Sequence, residues 1–522
     1  MRPDRLRPRP DRGVPSPRRT AAPSAVTPVA PHWLIALVLV VLLGGCVPAG
    51  TPVPTATPAI ATPPVAATTP TEPPIAEAPA IDATPTIGPG DGERPASATP
   101  TASDRAALPP GTINKRGVHL LLDDGGTRWP EDVWPQHVAL AAQLVGAGGH
   151  VVELIRLNDL DAASWQRFFD LAHEAELVPI VRLATWKDAR NQWWESPTTD
   201  ADDRSYRAEA ERIRRFFDAI AWRSETVLVT VANEPNRPDE WGGAPDPAAY
   251  ARFLRDVGDG LRRVSGVRVL VLNGALDSYA PSLDGERTYS IDAERFMEGM
   301  VAEVPDIFDR LDGWASHAYP LGPFGEHPER QVVKIDDVRP DAPDRPLPPS
   351  DLPNRGVNGY AWELWKLASL GMTRELPVYV TETGWRHRSS QASPSLDVDY
   401  AVVEDARFAR YMALAYDGPP NAPAQGWVPW NQDGRVRTAA LFALAGRPDH
   451  WGHTNLALVG RRGAILAPYP FAEGLATVPP GLLGPPPPSA TAPTADPPSS
   501  DAPTPDLPAA DAAPTNEQQR PE

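Results

Sequence analysis

The sequence contains almost no cysteine. Cys46 is the only one in 522 residues, which excludes a disulfide within one chain and a cysteine-based zinc site. The ten histidines are scattered, and no His-Glu-x-x-His motif occurs. Phosphate-binding glycine loops and the Gly-x-Ser-x-Gly elbow of serine hydrolases are also missing. The sequence therefore gives no indication of a metal site or of any other cofactor.

Positive charge is also scarce. Lysine and arginine total 49 against 67 acidic residues, and the formal net charge is −18. Because phosphate binding needs clustered lysine and arginine, we do not expect nucleic acid as a partner. The charge is compatible with a neutral or cationic substrate.

Proline, by contrast, is abundant, and its 66 copies crowd both ends of the chain. Residues 47–110 are rich in proline, threonine and alanine, and residues 478–522 repeat this composition with added aspartate. Such segments cannot bury enough apolar surface to fold, so we predict a disordered linker and a disordered tail. Residues 111–477 have an ordinary globular composition and form the predicted domain.

Residues 1–46 have the features of an export signal. An arginine-rich leader precedes the apolar run Trp33–Leu43, which is too short for a comfortable membrane span of about 20 residues. The following Leu43-Gly44-Gly45-Cys46 resembles a bacterial lipobox. That resemblance implies cleavage before Cys46, lipid on Cys46 and anchoring to the outer face of a bacterial membrane. The alternative is an uncleaved signal anchor, which also places the domain outside the cytoplasm.

In the predicted domain, short apolar runs alternate with helical patterns. The runs are Gly117–Leu122, Val151–Leu157, Val178–Leu183, Thr226–Ala232, Val267–Leu272, Gly313–Ala318, Pro377–Thr381 and Thr438–Ala445. The helical patterns include Ala163–Glu176, Tyr206–Ala221, Pro247–Val264, Ala293–Val304, Gly359–Ser369 and Val402–Tyr416. Eight strands that alternate with helices predict an α/β fold, specifically a (β/α)8 barrel. Periodicity alone leaves an open doubly wound sheet as the alternative.

Two of the predicted strands end in glutamate. The fourth runs into Asn233-Glu234-Pro235, and the seventh runs into Glu382. A carboxylate at such a position is costly to bury unless it is bonded or functional. Because the residue before a proline avoids the α region, Pro235 predicts an extended backbone at Glu234.

These two elements, in this order and about 150 residues apart, resemble the signature of the clan A glycoside hydrolases. The resemblance implies a retaining glycosidase with Glu234 as general acid/base and Glu382 as nucleophile. Enzymes of this kind need two carboxyl groups roughly 5–5.5 Å apart, in different protonation states at one pH.

The resemblance also implies several substrate-binding residues. Arg156, at the end of the second strand, is expected to bond the nucleophile and keep it ionised. Asn233 is expected to bind the sugar 2-hydroxyl. His317 and Tyr319, at the end of the sixth strand, are expected to bond the nucleophile or the sugar, and the pattern does not show which of them points inward.

Tryptophans in loops suit a saccharide cleft, because sugar C–H faces stack on aromatic rings. The eighth strand lacks the tryptophan that clan members place at its end, so we predict that Trp451 forms the sugar floor and that Trp385 also contacts substrate. Arg182 either reaches the cleft or pairs with Glu153 inside the barrel. His119 is interpreted as structural.

Together these features predict a monomeric retaining hydrolase that acts on O-glycosidic bonds of a poly- or oligosaccharide. One alternative is a surface lipoprotein that keeps the barrel but only binds carbohydrate, although both glutamates are present. Another is a barrel enzyme of different chemistry, such as a lyase. The sugar, the linkage and the choice between internal and terminal cleavage stay open.

Overall fold

The computed structural model describes most of the predicted domain. The described residues are 108–187, 193–201, 203–282, 290–331, 352–388, 391, 403–420, 424 and 427–484. The predicted signal peptide, Cys46, nearly all of the predicted linker and most of the predicted tail lie outside these residues.

Eight strands form one parallel sheet. They are β1 (Arg116–His119), β2 (His150–Arg156), β3 (Val178–Ala184), β4 (Thr226–Val231), β5 (Arg268–Asn273), β6 (Trp314–His317), β7 (Val378–Thr383) and β8 (Val436–Leu441). Neighbouring strands follow the order β5-β4-β3-β2-β1-β8-β7-β6. Because β1 pairs in parallel with both β2 and β8, the first and last strands are adjacent. This topology confirms the predicted (β/α)8 barrel and excludes the open doubly wound sheet.

The barrel closes between β5 and β6 through backbone and side-chain contacts. Leu272 and Gly313 form a parallel bridge at this seam. Next to it, the Asn273 amide accepts a hydrogen bond from the Ala315 N–H at 2.8 Å and donates one to the Ala315 carbonyl at 3.0 Å. The Asn273 side chain therefore takes the place of a strand neighbour for Ala315.

Helices connect the strands and cover the sheet. The longer described helices are α1 (Trp134–Val145), α2 (Ala162–Glu174), α3 (Arg207–Ala219), α4 (Pro247–Leu261), α5 (Ala293–Glu303), α6 (Tyr360–Ser369) and α7 (Asp405–Asp417). Aspartate side chains cap three of them, since Asp161, Asp246 and Asp292 accept backbone N–H groups at the starts of α2, α4 and α5. Among the described residues, no helix is both long and apolar enough to cross a membrane.

An apolar layer fills the barrel interior. Its buried members are Val152, Ile180, Leu228, Leu272, Ala275, Ala315, Tyr379 and Ala440. Because side chains alternate along a strand, the next inward position after Ile180 is Arg182, and the next after Ala315 is His317. Polar side chains thus begin directly above the apolar layer, at the C-terminal end of the strands.

The folded part extends slightly past the predicted boundary at residue 477. Gly481–Leu482 pairs in antiparallel fashion with Thr112–Ile113, so the two ends of the domain meet. A second small ladder joins Ala457–Val459 to Ile465–Pro468, after β8. The first residues of the predicted tail therefore belong to the folded domain.

The seam predicts an effect on stability. Asn273→Ala removes both partners of the buried Ala315 backbone groups, and should lower the free energy of unfolding by about 2–4 kcal/mol. Urea unfolding followed by circular dichroism measures the change. The control is Glu225→Ala, which truncates an exposed side chain and should stay within about 0.5 kcal/mol of wild type. Equal stability of Asn273→Ala and the control would contradict the role of this amide.

Candidate active site

Glu234 and Glu382 converge at the C-terminal mouth of the barrel. One oxygen of each carboxylate and one ring nitrogen of His317 all lie within 4.8 Å of one another. The Nδ1 atom of His317 lies 2.8 Å from Glu234 Oε1 and 3.7 Å from Glu382 Oε2. The structure therefore brings together the two glutamates that the sequence singled out, with an imidazole between them.

The backbone around Glu234 is not extended, and this corrects the expectation based on Pro235. Ala232 has a φ of 73° and Glu234 a φ of 34°, both in the left-handed region that residues with a side chain rarely adopt. The turn lets the Glu234 N–H donate to the Ala275 carbonyl at 2.9 Å. Close packing also contributes, because a Cβ on Gly274 would lie 2.8 Å from the Ala232 carbonyl oxygen.

A register irregularity turns Glu382 toward the barrel interior. Tyr379 belongs to the interior apolar layer, so strict alternation would turn Thr381 inward and Glu382 outward. The pairing of β6 with β7 shifts, however, so that Ser316 is opposite Val380 while His317 is opposite Glu382. This bulge places the Glu382 carboxylate beside His317.

Three side chains surround the Glu382 carboxylate. Arg182 donates to Oε1 in a close ion pair, and the Tyr319 hydroxyl donates to Oε2 at 3.2 Å. The Nε2 atom of His119 lies 3.6 Å from Oε1. His317 faces Glu234 and Tyr319 faces Glu382. Both His317 and Tyr319 therefore point into the site. Of the two predicted alternatives for Arg182, the structure shows the one in which its side chain reaches the cleft.

Arg156 does not contact the nucleophile candidate, and that expectation is wrong. Leu154 of β2 is level with Arg182 of β3, whereas Arg156 is level with Ala184. Arg156 therefore lies one inward position higher, at the rim, where its guanidinium pairs with Asp123 at 2.7 Å. Glu153 accepts backbone N–H groups of Leu122 and Asp123 instead of pairing with Arg182.

Two donors hold Glu234 in its ionised form. His317 bonds Oε1, and the Arg237 guanidinium lies 3.3 Å from Oε2. Burial raises the pKa of Glu234, but the bond from His317 and the charge of Arg237 outweigh it and lower the pKa to about 2. Burial lowers the pKa of His317, yet the carboxylates of Glu382 and Glu234 more than compensate and raise it. These shifts favour a proton on the His317 imidazole over one on Glu234.

The sequence did not identify His119 as part of the site. Its ring is fully buried, and neither nitrogen has a hydrogen-bond partner among the described residues. Burial, together with the charges of Arg182 and His317, holds the pKa of His119 well below its usual value. A neutral imidazole thus lies against the nucleophile candidate. A histidine in an interior strand position was the available signal, but the same signal is common in barrel cores.

The aromatic residues are arranged differently from the prediction. Trp385 is 1% exposed, packs against Phe408 and Tyr411, and donates through Nε1 to the Glu326 carbonyl, so it is a core residue that cannot stack on a sugar.

Directly after β8 comes Phe442, whose ring centroid lies 5.1 Å from that of His119 and 5.0 Å from that of Trp451. Phe442 therefore packs on His119, which lies beside Glu382, and it occupies the strand-end position at which a tryptophan was expected.

Asn233 is buried beside Glu234, and its side chain has no hydrogen-bond partner among the described residues. An amide held without a partner next to the paired carboxylates is suited to bind a hydroxyl group.

The two carboxylates and His317 are also a possible set of metal ligands. Every carboxylate oxygen, however, already has a donor or cation: Arg182 and Tyr319 at Glu382, and His317 and Arg237 at Glu234. A divalent cation would have to displace these groups against the repulsion of two guanidinium charges. The arrangement therefore favours chemistry by the carboxylates themselves.

No protein-family model matches the sequence, and no curated protein matches it. Among solved structures, the chain is similar to GH5_18 from Streptomyces cattleya in complex with GlcNAc, with 16% identity over 70% of this chain and 80% of that chain and a TM-score of 0.43. It is also similar to a beta-glucosidase from Exiguobacterium marinum, with 11% identity over 72% and 98% and a TM-score of 0.40.

A third similar structure is the catalytic domain of a mannanase from Streptomyces sp. SirexAA-E, with 12% identity over 74% of this chain and 95% of that chain and a TM-score of 0.35. At such identities and scores, the chemistry of this chain has to be inferred from its own side chains.

The bond between His317 and Glu234 predicts a titration shift. Glu234→Gln removes a carboxylate that stabilises protonated His317, so the pKa of His317 should fall. Nuclear magnetic resonance titration of isotope-labelled histidine measures this directly. His327 lies outside this cluster and serves as the internal control, because its pKa should not change. An unchanged pKa of His317 in the variant would contradict the interaction.

Proposed function

We propose that this protein is a glycoside hydrolase that cleaves O-glycosidic bonds with retention of anomeric configuration. The observation that carries the proposal is the proximity of the two carboxylates, since one oxygen of each lies within 4.8 Å of the other. Retaining glycosidases place their carboxyl groups roughly 5–5.5 Å apart, whereas inverting enzymes leave roughly 6.5–9.5 Å for a water molecule. The spacing supports the retaining geometry.

In the proposed first step, a Glu382 oxygen attacks the anomeric carbon and forms a glycosyl ester, while Glu234 protonates the departing oxygen. Arg182 and Tyr319 hold Glu382 in place for this attack, and the neutral ring of His119 lies beside it. In the second step, Glu234 takes a proton from water, and the resulting hydroxide equivalent displaces Glu382 from the anomeric carbon. Glu382 leaves as a carboxylate, and the sugar is released with its original configuration.

The proton for the first step is available at His317. The Nδ1 atom of His317 lies 2.8 Å from Glu234 Oε1, which is a normal hydrogen-bond distance. Transfer of that proton along the bond converts Glu234 to a carboxylic acid and His317 to a neutral imidazole. The pair then contains the same number of protons as before, so this transfer requires no exchange with solvent.

The phenyl ring of Phe442 and the amide of Asn233 complete the proposed sugar site. Phe442 provides an apolar surface near the nucleophile side, and Asn233 provides a hydrogen-bonding group for the sugar 2-hydroxyl. A protein that only binds carbohydrate would not need two carboxylates within 4.8 Å, since their mutual repulsion is costly. Release of nitrophenol from a panel of aryl glycosides separates the two functions.

We also propose that the enzyme is exported and anchored through lipid on Cys46, as a monomer whose partner is a carbohydrate. The support for this location is the Leu43-Gly44-Gly45-Cys46 tetrad after an apolar run. The proline-rich residues between Cys46 and the barrel would act as a tether.

Removal of the nucleophile tests the proposed mechanism. Glu382→Ala should lower kcat on an aryl glycoside by at least about 10³-fold, because it removes the atom that forms the covalent bond. Added azide should fit the vacated space and restore turnover, giving a glycosyl azide of inverted configuration. Glu329→Ala, an exposed acid after β6, is the matched control and should keep wild-type activity. Wild-type kcat in Glu382→Ala would refute the assignment.

The pH profile tests the acid/base. Arg237→Gln removes a positive charge that lowers the pKa of Glu234. The proton shared by His317 and Glu234 should then be retained to higher pH. The fall of kcat/KM on the alkaline side should therefore shift to higher pH. Arg310→Gln, which removes an arginine paired with Asp306 and Asp259 away from the site, is the control. A shift of this fall to lower pH, or a fall at the same pH in both variants, would contradict a role of Arg237 at Glu234.

A further inference from the structure

We propose that the site is a pocket closed on its glycone side, so that the enzyme removes single terminal sugar residues instead of cutting within a chain. This inference rests on the proposed function and deepens it. It concerns the loops at the barrel mouth, which decide how many sugar units fit beyond the bond that is cleaved.

The positions of the two glutamates fix the direction of the substrate. The leaving oxygen must contact Glu234, which follows β4, while Glu382 of β7 attacks the anomeric carbon. In a barrel of eight strands, β4 lies opposite β8. The sugar ring that becomes attached to Glu382 therefore extends away from Glu234, toward the loops after β8, β1 and β2.

The loop after β3 closes one side of this region. It reaches over the end of β2, where Trp194 packs against Leu154 and Ala184, two inward-facing positions at the mouth. The same indole contacts the loop after β1, because a Cβ on Gly125 would lie 2.3 Å from the Trp194 ring. Trp194 is only 5% exposed. Trp194 therefore lies between the described part of its own loop and the loop after β1.

The loop after β8 closes the other side. The Trp451 indole donates to Asp124 at 3.2 Å, and Arg447 donates to the Thr127 hydroxyl at 3.3 Å. Trp451 also packs on Phe442 and on the Leu121 cluster, at the foot of the loop after β1. The loop after β1 is thus held from both sides by the neighbouring loops.

The closed end presents groups that suit the hydroxyls of a terminal sugar. Asp124 lies there, and next to it the guanidinium of Arg156 pairs with Asp123 at 2.7 Å. Charged groups of this kind hydrogen-bond hydroxyls well. A second glycone sugar would need the space that Trp194 and Trp451 occupy. Arg156 is accordingly a residue of the pocket end, not a partner of Glu382.

Aryl glycosides of defined length test the pocket. Wild-type kcat/KM is measured for 4-nitrophenyl glycosides of single sugars, in both anomeric forms, and for 4-nitrophenyl disaccharides that carry the same sugar next to the nitrophenyl group. For the disaccharides only the release of nitrophenol together with the intact disaccharide is counted, because removal of their terminal sugar is the reaction that a closed pocket allows. We expect the single-sugar glycoside to be preferred by at least about 100-fold, because the disaccharide places a second unit against the closed end. Release of the intact disaccharide as fast as, or faster than, release of the single sugar would overturn the pocket.

Opening the wall provides a second measurement. Trp194→Ala should raise the ratio of disaccharide to single-sugar kcat/KM by at least about 10-fold relative to wild type. Trp222→Ala, which removes a partly buried indole on the helical face, is the matched control and should leave the ratio unchanged. An unchanged ratio in both variants would argue against Trp194 as the wall.

The two proposals fail in different ways. Preferential release of intact disaccharides contradicts the closed pocket but leaves the glycosidase intact. Absence of turnover on every glycoside of the panel contradicts the glycosidase itself, and the pocket with it. If Trp194→Ala does not fold, the wild-type preference for single sugars still decides the question.

Discussion

The site depends on keeping two carboxylates close together, with one oxygen of each within 4.8 Å of the other, in the mouth of a barrel whose interior is apolar. Such a pair repels strongly where water is scarce, and burial adds a further cost. The chain offsets both costs with positive charge placed at opposite sides of the gap, with Arg182 at Glu382 and Arg237 at Glu234. Protonated His317 lies between them and contributes a third charge that can move.

The backbone has to depart from regular geometry to place these groups. Regular alternation along β7 would turn Glu382 away from the interior, and the bulge opposite Ser316 and His317 reverses this. Left-handed backbone at Ala232 and Glu234, which costs of order 1–3 kcal/mol per residue, brings the second carboxylate over the same gap. Both departures lie at the C-terminal ends of strands, above an apolar layer that is packed regularly.

The sequence predicts the barrel and the two glutamates because their signals are local. Each strand is a short apolar run, and each glutamate directly follows one. The partners of the glutamates depend on strand register, which periodicity does not give. Arg156 and Arg182 look equivalent in sequence, but the pairing of β2 with β3 places only Arg182 level with the gap. Likewise, Trp385 and Phe442 each follow a strand, and only tertiary packing shows that Trp385 belongs to the core.

The two arginines differ in a way that matters for the proposed reaction. Arg237 also pairs with Asp239 at 2.7 Å and lies 3.5 Å from Asp277, so it keeps acidic partners when Glu234 becomes protonated. Arg182, by contrast, pairs with no carboxylate except Glu382 among the described residues, and its Nε has no hydrogen-bond partner there.

Formation of the glycosyl ester on Glu382 would therefore remove the direct ion-pair partner of Arg182 and leave its buried charge less well compensated, which is costly. Hydrolysis of the ester restores the carboxylate and the ion pair. In the proposed mechanism, the cation that orients Glu382 would thus also destabilise the covalent intermediate relative to the free enzyme and favour the second step over accumulation of the ester. This difference between the two arginines fits the roles proposed for the two glutamates, in which Glu234 only exchanges a proton while Glu382 forms a bond to carbon.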